Sequence, residues 1–268
     1  MGQTRKDRSS TQVIVTVICA ICVSVTSVVS ARIAQQTTTR YEVKLIPSFD
    51  GVSVDDYLPL RKGNRWVYEG TAMTTTTDGP VVKGNVRLSM RVIGEKHAGT
   101  MDLYMMEGHP SDAVWALDHA QDDIVDVPPS RYAYVVVGNK VFRIADDEID
   151  RAMEVLVEGD GFDESLLSAD NLEFEFPLSE GLQFGRAQSL GRKDMMYRWV
   201  VSDITLCYAA GDEGLREVPH YQLVHKTLPD RISLWFTPYL GITSYSYQHN
   251  GTIAEVDLSL KEYEVHTD

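Results

Sequence analysis

The sequence predicts an all-β protein with a minor helical part, built as an antiparallel sandwich or a strongly curved sheet. Three observations lead there. Apolar residues alternate with period two along several stretches, the spacing of strands with one buried face. Turn dipeptides such as Asp78-Gly79, Gly138-Asn139 and Asn250-Gly251 punctuate those stretches. Val is frequent and the aromatics are mostly Tyr and Trp, which favours sheet over helix. With 268 residues and 43% hydrophobic content, the chain can bury a sizeable core.

The chain divides into residues 1–31, 32–56 and 57–268. Arg5, Lys6 and Arg8 precede the apolar run Val13–Val29, and Val29-Ser30-Ala31 suits a signal-peptidase site. Seventeen residues, several of them Ser and Thr, are short for a membrane span. A cleaved signal peptide is therefore the first reading and an uncleaved anchor the second. Cleavage after Ala31 removes three basic residues and one acidic one, taking the net charge from −14 to −16. So acidic a chain repels nucleic acid and anionic headgroups, which excludes nucleic acid as a partner. The membrane is then met only through the N-terminal segment, if that stays uncleaved. Cys19 and Cys22 leave with the leader. Cys207 remains, without an internal disulfide partner, and is expected as a small buried residue.

Residues 32–56 read as a polar lead-in or tether, with a strand expected over Tyr41–Ile46. The β-rich domain opens at Tyr57–Gly70. Pro59 biases Leu58 toward extended backbone, Arg61–Asn64 make a tight turn through Gly63 and Asn64, and Trp66-Val67-Tyr68 begin a strand. The same pattern returns at Pro177–Phe184: Pro59, Leu60, Gly63 and Trp66 match Pro177, Leu178, Gly181 and Phe184. This echo points to two related halves, about 57–145 and 172–265; the alternative is two unrelated turn-then-strand openings. Both leucines are expected to be buried, both glycines in turns of positive φ, and both aromatics at the start of a strand.

Strands are expected over Thr71–Thr77, Val81–Ile93, Met101–Met106 and Ala113–Leu117. In the second of these Val82, Val86, Leu88, Met90 and Val92 share a face. Gln121–Pro129 is acidic and ends in Pro128-Pro129, which stops any regular element there. Tyr132–Val137 and Lys140–Ile144 form a hairpin around Gly138-Asn139. Residues 146–170 are a helical interlude, with a helix over Asp146–Glu158 whose Ile149, Met153 and Leu156 fall at helical spacing. A short further turn of helix is expected over Asp163–Ala169. Strands follow at Tyr197–Tyr208, His220–Thr227 and Ile232–Phe236. A break at Pro238–Gly241 leads to the long hairpin Ile242–Gln248 and Thr252–Glu264, in which Ala254, Val256, Leu258 and Leu260 share the buried face.

Tyr57-Leu-Pro-Leu-x-x-Gly-Asn-x-Trp66, Trp235-Phe-x-Pro238-x-x-Gly241-Ile and the Asn250-Gly251 hairpin together resemble a group of uncharacterised bacterial exported proteins. These open near PLxxGNxWxY and close near WFxPGxGI. The resemblance spans most of Tyr57–Tyr263. It implies an extracytoplasmic β-rich fold, and its motif residues Pro59, Leu60, Gly63, Asn64, Trp66, Trp235, Pro238, Gly241, Asn250 and Gly251 are structural. It brings no activity, cofactor or catalytic residue. Where that group often has Gly after the Pro, this chain has Tyr239.

Chemistry-bearing residues form no catalytic or metal motif. The seven histidines contain no HExxH pair. His220 and His225, five apart on one strand, point to opposite faces. The nearest approach to a metal site is His109 and His119, which flank Ala113–Leu117, with the acidic Asp122 and Asp123. Asp118, Asp122, Asp123 and Asp126, and separately Asp160, Asp163 and Glu164, are carboxylate clusters in no EF-hand order. They read as solvated loops, so neither metal nor cofactor is expected. No G-x-S-x-G elbow exists. The expected function is a non-enzymatic, exported ligand-binding or envelope-associated domain, its partner a small molecule or envelope component. The alternatives are a secreted hydrolase using acidic residues near His109–Asp126, and a structural interaction domain without a pocket.

Overall fold

The computed structural model describes residues 54–75, 79, 81–119, 124–158, 167–211 and 214–266. Tyr41–Ile46, Asp122, Asp123, Asp160, Asp163 and Glu164 lie outside them. A helical turn, α1 (Val54–Tyr57), leads into a meander of β1 (Arg65–Thr75), β2 (Val81–Ala98), β3 (Met101–Glu107), β5 (Arg131–Val137), β6 (Lys140–Ala145) and β7 (Leu172–Glu175). A second meander follows: β8 (Gln183–Gly185), β9 (Arg198–Gly211), β10 (Gly214–Lys226), β11 (Asp230–Thr237), β12 (Gly241–His249) and β13 (Ala254–Glu264). The short β4 (Ile124–Asp126) pairs with β2 in parallel. All are strands of one sheet, in the order β7-β6-β5-β3-β2-β1-β13-β12-β11-β10-β9-β8. The all-β expectation is met, and of the two architectures named it is the curved sheet.

The sheet curves into a nearly closed ring, and its two meanders meet twice. At β1 and β13 they are sealed by an antiparallel ladder from Arg65↔Glu264 to Thr74↔Ala254. At β7 and β8, which end the sheet, the strands lie side by side with no ladder between them. The interior is apolar and aromatic. Tyr57 stacks on Phe176 at 4.2 Å between ring centroids, and Phe176 and Phe174 pack on Phe236 at 5.8 and 5.3 Å. Outward residues such as Arg65, Arg91, Glu95 and Glu262 are exposed and charged. That polarity is the reverse of a barrel that faces lipid. Among the described residues, no helix is long and apolar enough to cross a membrane.

The echoed turns share one hydrogen-bond pattern. Gly63 (φ 98°) and Gly181 (φ 78°) both occupy the left-handed region that glycine enters without steric cost. Asn64 N–H donates to Arg61 O and Leu182 N–H to Ser179 O, each at 3.0 Å. Gly63 N–H donates to Val92 O and Val92 N–H to Asn64 O; likewise Gly181 N–H donates to Val201 O and Val201 N–H to Leu182 O. Leu60, Leu178, Trp66 and Phe184 are all buried. Trp66 lies on β1 and Phe184 on β8, so each turn launches the first strand of a meander.

The opening and closing motifs meet in space. Trp66 Nε1–H donates to Leu240 O at 2.7 Å, and Tyr68 OH to Ile242 O at 2.8 Å. Asn64 donates through Nδ2 to Pro59 O (2.7 Å) and His266 O (3.1 Å), and its Oδ1 accepts from His266 N–H (2.8 Å). The motif asparagine thus ties the residues after β13 to the start of β1. Tyr239, which follows Pro238 in the closing motif, has φ 63°. A left-handed backbone is costly for a tyrosine; the burial of its ring holds it there.

One local expectation is corrected. Ala113–Leu117 is no strand but part of a 3-10 helix, Pro110–Asp118. His109 caps that helix through its side chain, Asp112 reciprocates on the His109 backbone N–H, and Pro110 fits the first turn, where no N–H is needed. In Gln121–Pro129 the short β4 uses the free edge groups of β2 at Asn85–Arg87 and ends at Asp126, before Pro128-Pro129. The helix expected between the halves is present as α2 (Asp146–Glu158), with Ile149 and Ala152 buried. The Asn250-Gly251 hairpin joins β12 and β13 as expected, with Val256, Leu258 and Leu260 buried and Asp257, Ser259 and Lys261 exposed. Cys207 is buried and free.

Candidate functional site

Among the described residues, polar chemistry gathers most densely at a buried cluster and at a cavity. The first is a closed cluster under the 3-10 helix. Glu173 on β7 is buried, and its Oε1 accepts from His109 Nε2–H and Tyr134 OH, each at 2.9 Å. Its Oε2 meets Arg143 Nε at 2.9 Å. His109 Nδ1 faces the Arg143 Nη1–H donor at 2.8 Å and the Ser111 backbone N–H at 3.1 Å. Both partners are donors only, so Nδ1 must accept and Nε2 must carry the proton. The imidazole is held neutral: burial, then the adjacent Arg143 charge, push its pKa below the usual 6.5. For Glu173, burial by itself would raise the pKa. The Arg143 charge and His109, with hydrogen bonds from His109 and Tyr134, more than reverse this and bring it from 4.5 to about 2.

Ser111 Oγ lies 2.6 Å from His109 Nδ1, so Ser111, His109 and Glu173 have the composition of a hydrolytic triad. The geometry argues against that chemistry. A general base must take a proton from the serine, and here the accepting nitrogen already faces a guanidinium; a protonated ring would set two cations 2.8 Å apart. Asp112 is occupied by the His109 and Ser130 backbone N–H groups and the Ser130 hydroxyl. The cluster fastens the helix to β5, β6 and β7.

Among the described residues, the sequence candidates do not assemble. His109 and His119 cap opposite ends of the 3-10 helix; His109 is buried on Glu173, whereas His119 stacks on the exposed Trp115 at 3.7 Å. Asp118 and Asp126 are exposed. His220 meets Thr243 and Trp235, while His225 meets Trp199 on another part of the sheet. Of the motif residues, Pro59, Leu60, Gly63, Asn64 and Trp66 build the first turn, Trp235, Pro238 and Gly241 the β11–β12 connection, and Asn250 and Gly251 the last hairpin.

The second place is a cavity of about 700 Å³ at the junction of β7 and β8, the one without a ladder. Asp170 and Leu172 line it from the β7 side. Across the junction come Arg186, which follows β8, and Ser189 and Arg192, on and after the helical turn α3 (Ala187–Leu190). Tyr197, Arg198 and Trp199 enter from the start of β9, and His225 from β10. Arg186 pairs with Asp170 across the junction. Arg192 is held by Asp194 and lies 5.3 Å from the centroid of the Tyr197 ring. Arg198 is 4% exposed, and its guanidinium donates to the Ser189, Leu190 and Arg192 carbonyls at the end of α3. Its Nε–H is buried with no acceptor among the described residues. Met195 (φ 56°) and Tyr197 (φ 60°) are left-handed although neither is glycine, which costs about 1–3 kcal/mol each and is common where a loop is shaped for a ligand. Burial lowers the His225 pKa, so this ring adds no charge near neutral pH.

Apart from His225, weighed with His220 as a metal ligand and set aside, sequence reasoning singled out none of these residues. One signal for them is present: within residues 186–198 an otherwise acidic chain carries Arg186, Arg192, Lys193 and Arg198 against the lone Asp194.

No protein-family model matches the chain, and no curated protein matches it. Among solved structures it is similar to a Bacteroides fragilis NCTC 9343 protein described as exported, with a YmcC-like fold. The identity is 10%, the match covers 78% of this chain and 98% of that one, and the TM-score is 0.36. It is also similar to a Parabacteroides distasonis ATCC 8503 protein described as a lipoprotein, at 11% identity, with 77% and 97% covered and a TM-score of 0.32. Likeness at this level carries nothing about what the present chain does.

Proposed function

We propose that this chain is an exported, extracytoplasmic ligand-binding domain without catalytic activity, and that its ligand occupies the cavity between β7 and β8. The observation that carries this is the position and lining of that cavity. It lies where the meanders are not sealed, has the volume of a small-molecule site, and joins apolar and aromatic walls to a few convergent polar groups. The charged groups of the His109–Glu173 cluster are instead turned inward onto one another. Export rests on the N-terminal segment and on the resemblance of the opening and closing motifs to exported proteins. The test is native mass spectrometry of the chain expressed with its own N-terminal segment, beside Trp199→Ala. The expected result is a protein starting at Arg32 with a bound small molecule that the variant loses. A wild type without adduct, or an adduct the variant keeps, refutes the site.

A further inference from the structure

We infer that the β7–β8 cavity takes an organic monoanion, its acidic group held by Arg198, Arg186 and Arg192 and its flat or apolar body by Trp199 and Tyr197. This rests on reading the cavity as the ligand site.

The charge of the lining is the first argument. The chain carries a net −14, yet this cavity presents three guanidiniums and one carboxylate, that of Asp170. Two of the cations have carboxylate partners, Arg186 in Asp170 and Arg192 in Asp194. Arg198 has none among the described residues; its partners are carbonyl dipoles, which satisfy hydrogen bonds without neutralising charge. One buried positive charge is left without a counterion, and a buried charge is costly unless paired. A ligand with a single negative charge supplies the missing partner. Guanidinium suits that task, because its planar array of donors matches the oxygens of a carboxylate or related oxyanion.

Access is the second argument. Arg186 and Arg192 have side chains 58% and 44% exposed, so their ion pairs with Asp170 and Asp194 are weak, solvent-screened contacts. A ligand anion exchanges with either aspartate at little cost. Because Asp170 and Arg186 stand on opposite sides of the junction, that exchange also releases the ion pair that spans it. The rings give the third argument. Trp199 and Tyr197 face the same cavity, and Arg192 lies close to the Tyr197 ring, so an acidic group at the arginines sets the rest of the ligand against aromatic surface.

The test is calorimetric titration of the full chain with 2-naphthoate and with its neutral isostere 2-naphthamide. The carboxylate is expected to bind at least about tenfold tighter than the amide, with an advantage that shrinks as NaCl is raised. Arg186→Gln and Arg192→Gln change exposed side chains and leave the fold intact. Each is expected to weaken naphthoate about threefold or more while leaving naphthamide unchanged. Arg198→Met is expected to abolish the carboxylate's advantage; because Arg198 also caps α3, the two exposed-arginine variants decide the matter if that protein fails to fold. Equal affinities for the two probes, or arginine variants that weaken both alike, overturn the anion while leaving a ligand cavity in place. Binding of neither probe removes the cavity as a site, and this inference with it.

Discussion

Replacing His109 by Gln should flatten the dependence of stability on pH between 7.5 and 5.5. In the fold the imidazole is neutral, its pKa lowered by burial and by Arg143, and its Nδ1 is saturated by donors. Unfolded, it returns to its ordinary value of 6.5. Below that value the unfolded chain binds a proton that the fold refuses, so stability falls as the pH falls. At pH 5.5, one unit below the unfolded value, the cost reaches at most about 1.4 kcal/mol, and at pH 7.5 it is close to zero. Gln keeps an N–H donor for Glu173 and cannot titrate, so the variant should lose less stability than the wild type over this window, by at most about 1.4 kcal/mol. His220, lowered to about 4 by burial, and His225 titrate with the same sign in both proteins and cancel in the difference. Glu173 stays out of this window. Its folded pKa, about 2, lies below its ordinary 4.5, so its contribution is full above 4.5 and is lost as the pH falls toward 2. Urea unfolding followed by tryptophan fluorescence at pH 7.5, 6.5 and 5.5 supplies the free energies. Whatever packing the substitution costs shifts the whole curve, whereas the slope reports the proton. Parallel curves for the two proteins would refute a buried neutral His109.

Two further outcomes test the frame that carries the cavity. Asn64→Ala removes three hydrogen bonds inside the protein and strands the Pro59 carbonyl, so it should cost about 2–3 kcal/mol in urea unfolding; a loss below about 0.5 kcal/mol would mean water replaces the side chain. Leu258→Ala should cost about 2–5 kcal/mol, because Leu258 is buried on β13 at the sealed junction; a loss near zero would place that face of β13 in solvent.

Local signals in the sequence carried much of the fold. Gly63, Gly181, Gly138 and Gly251 marked turns because a chain that reverses there needs backbone that glycine alone enters freely. The alternation Val86-x-Leu88-x-Met90-x-Val92 and Val256-x-Leu258-x-Leu260 marked inward faces because successive strand side chains point to opposite sides. Apolar content failed at Ala113–Leu117, where the His109–Asp112 cap and Pro110 outweigh strand propensity. The His109–Glu173 contact was invisible because its partners are 64 residues apart and meet only when β7 reaches β6.

By itself, then, the sequence determined a sheet with an apolar inner face and a charged outer one, punctuated by turns at its glycines, because these properties depend on neighbours within a few residues. The tertiary structure alone decided where the ring stays open. β7 and β8 are four and three residues long, and Pro177 in the connection between them has no N–H to offer. Each pairs on one side only, β7 with β6 and β8 with β9, so the two meanders meet there without backbone hydrogen bonds. Arg186, Arg198 and Asp170 become neighbours at that junction through the path of the whole ring, which no local spacing records.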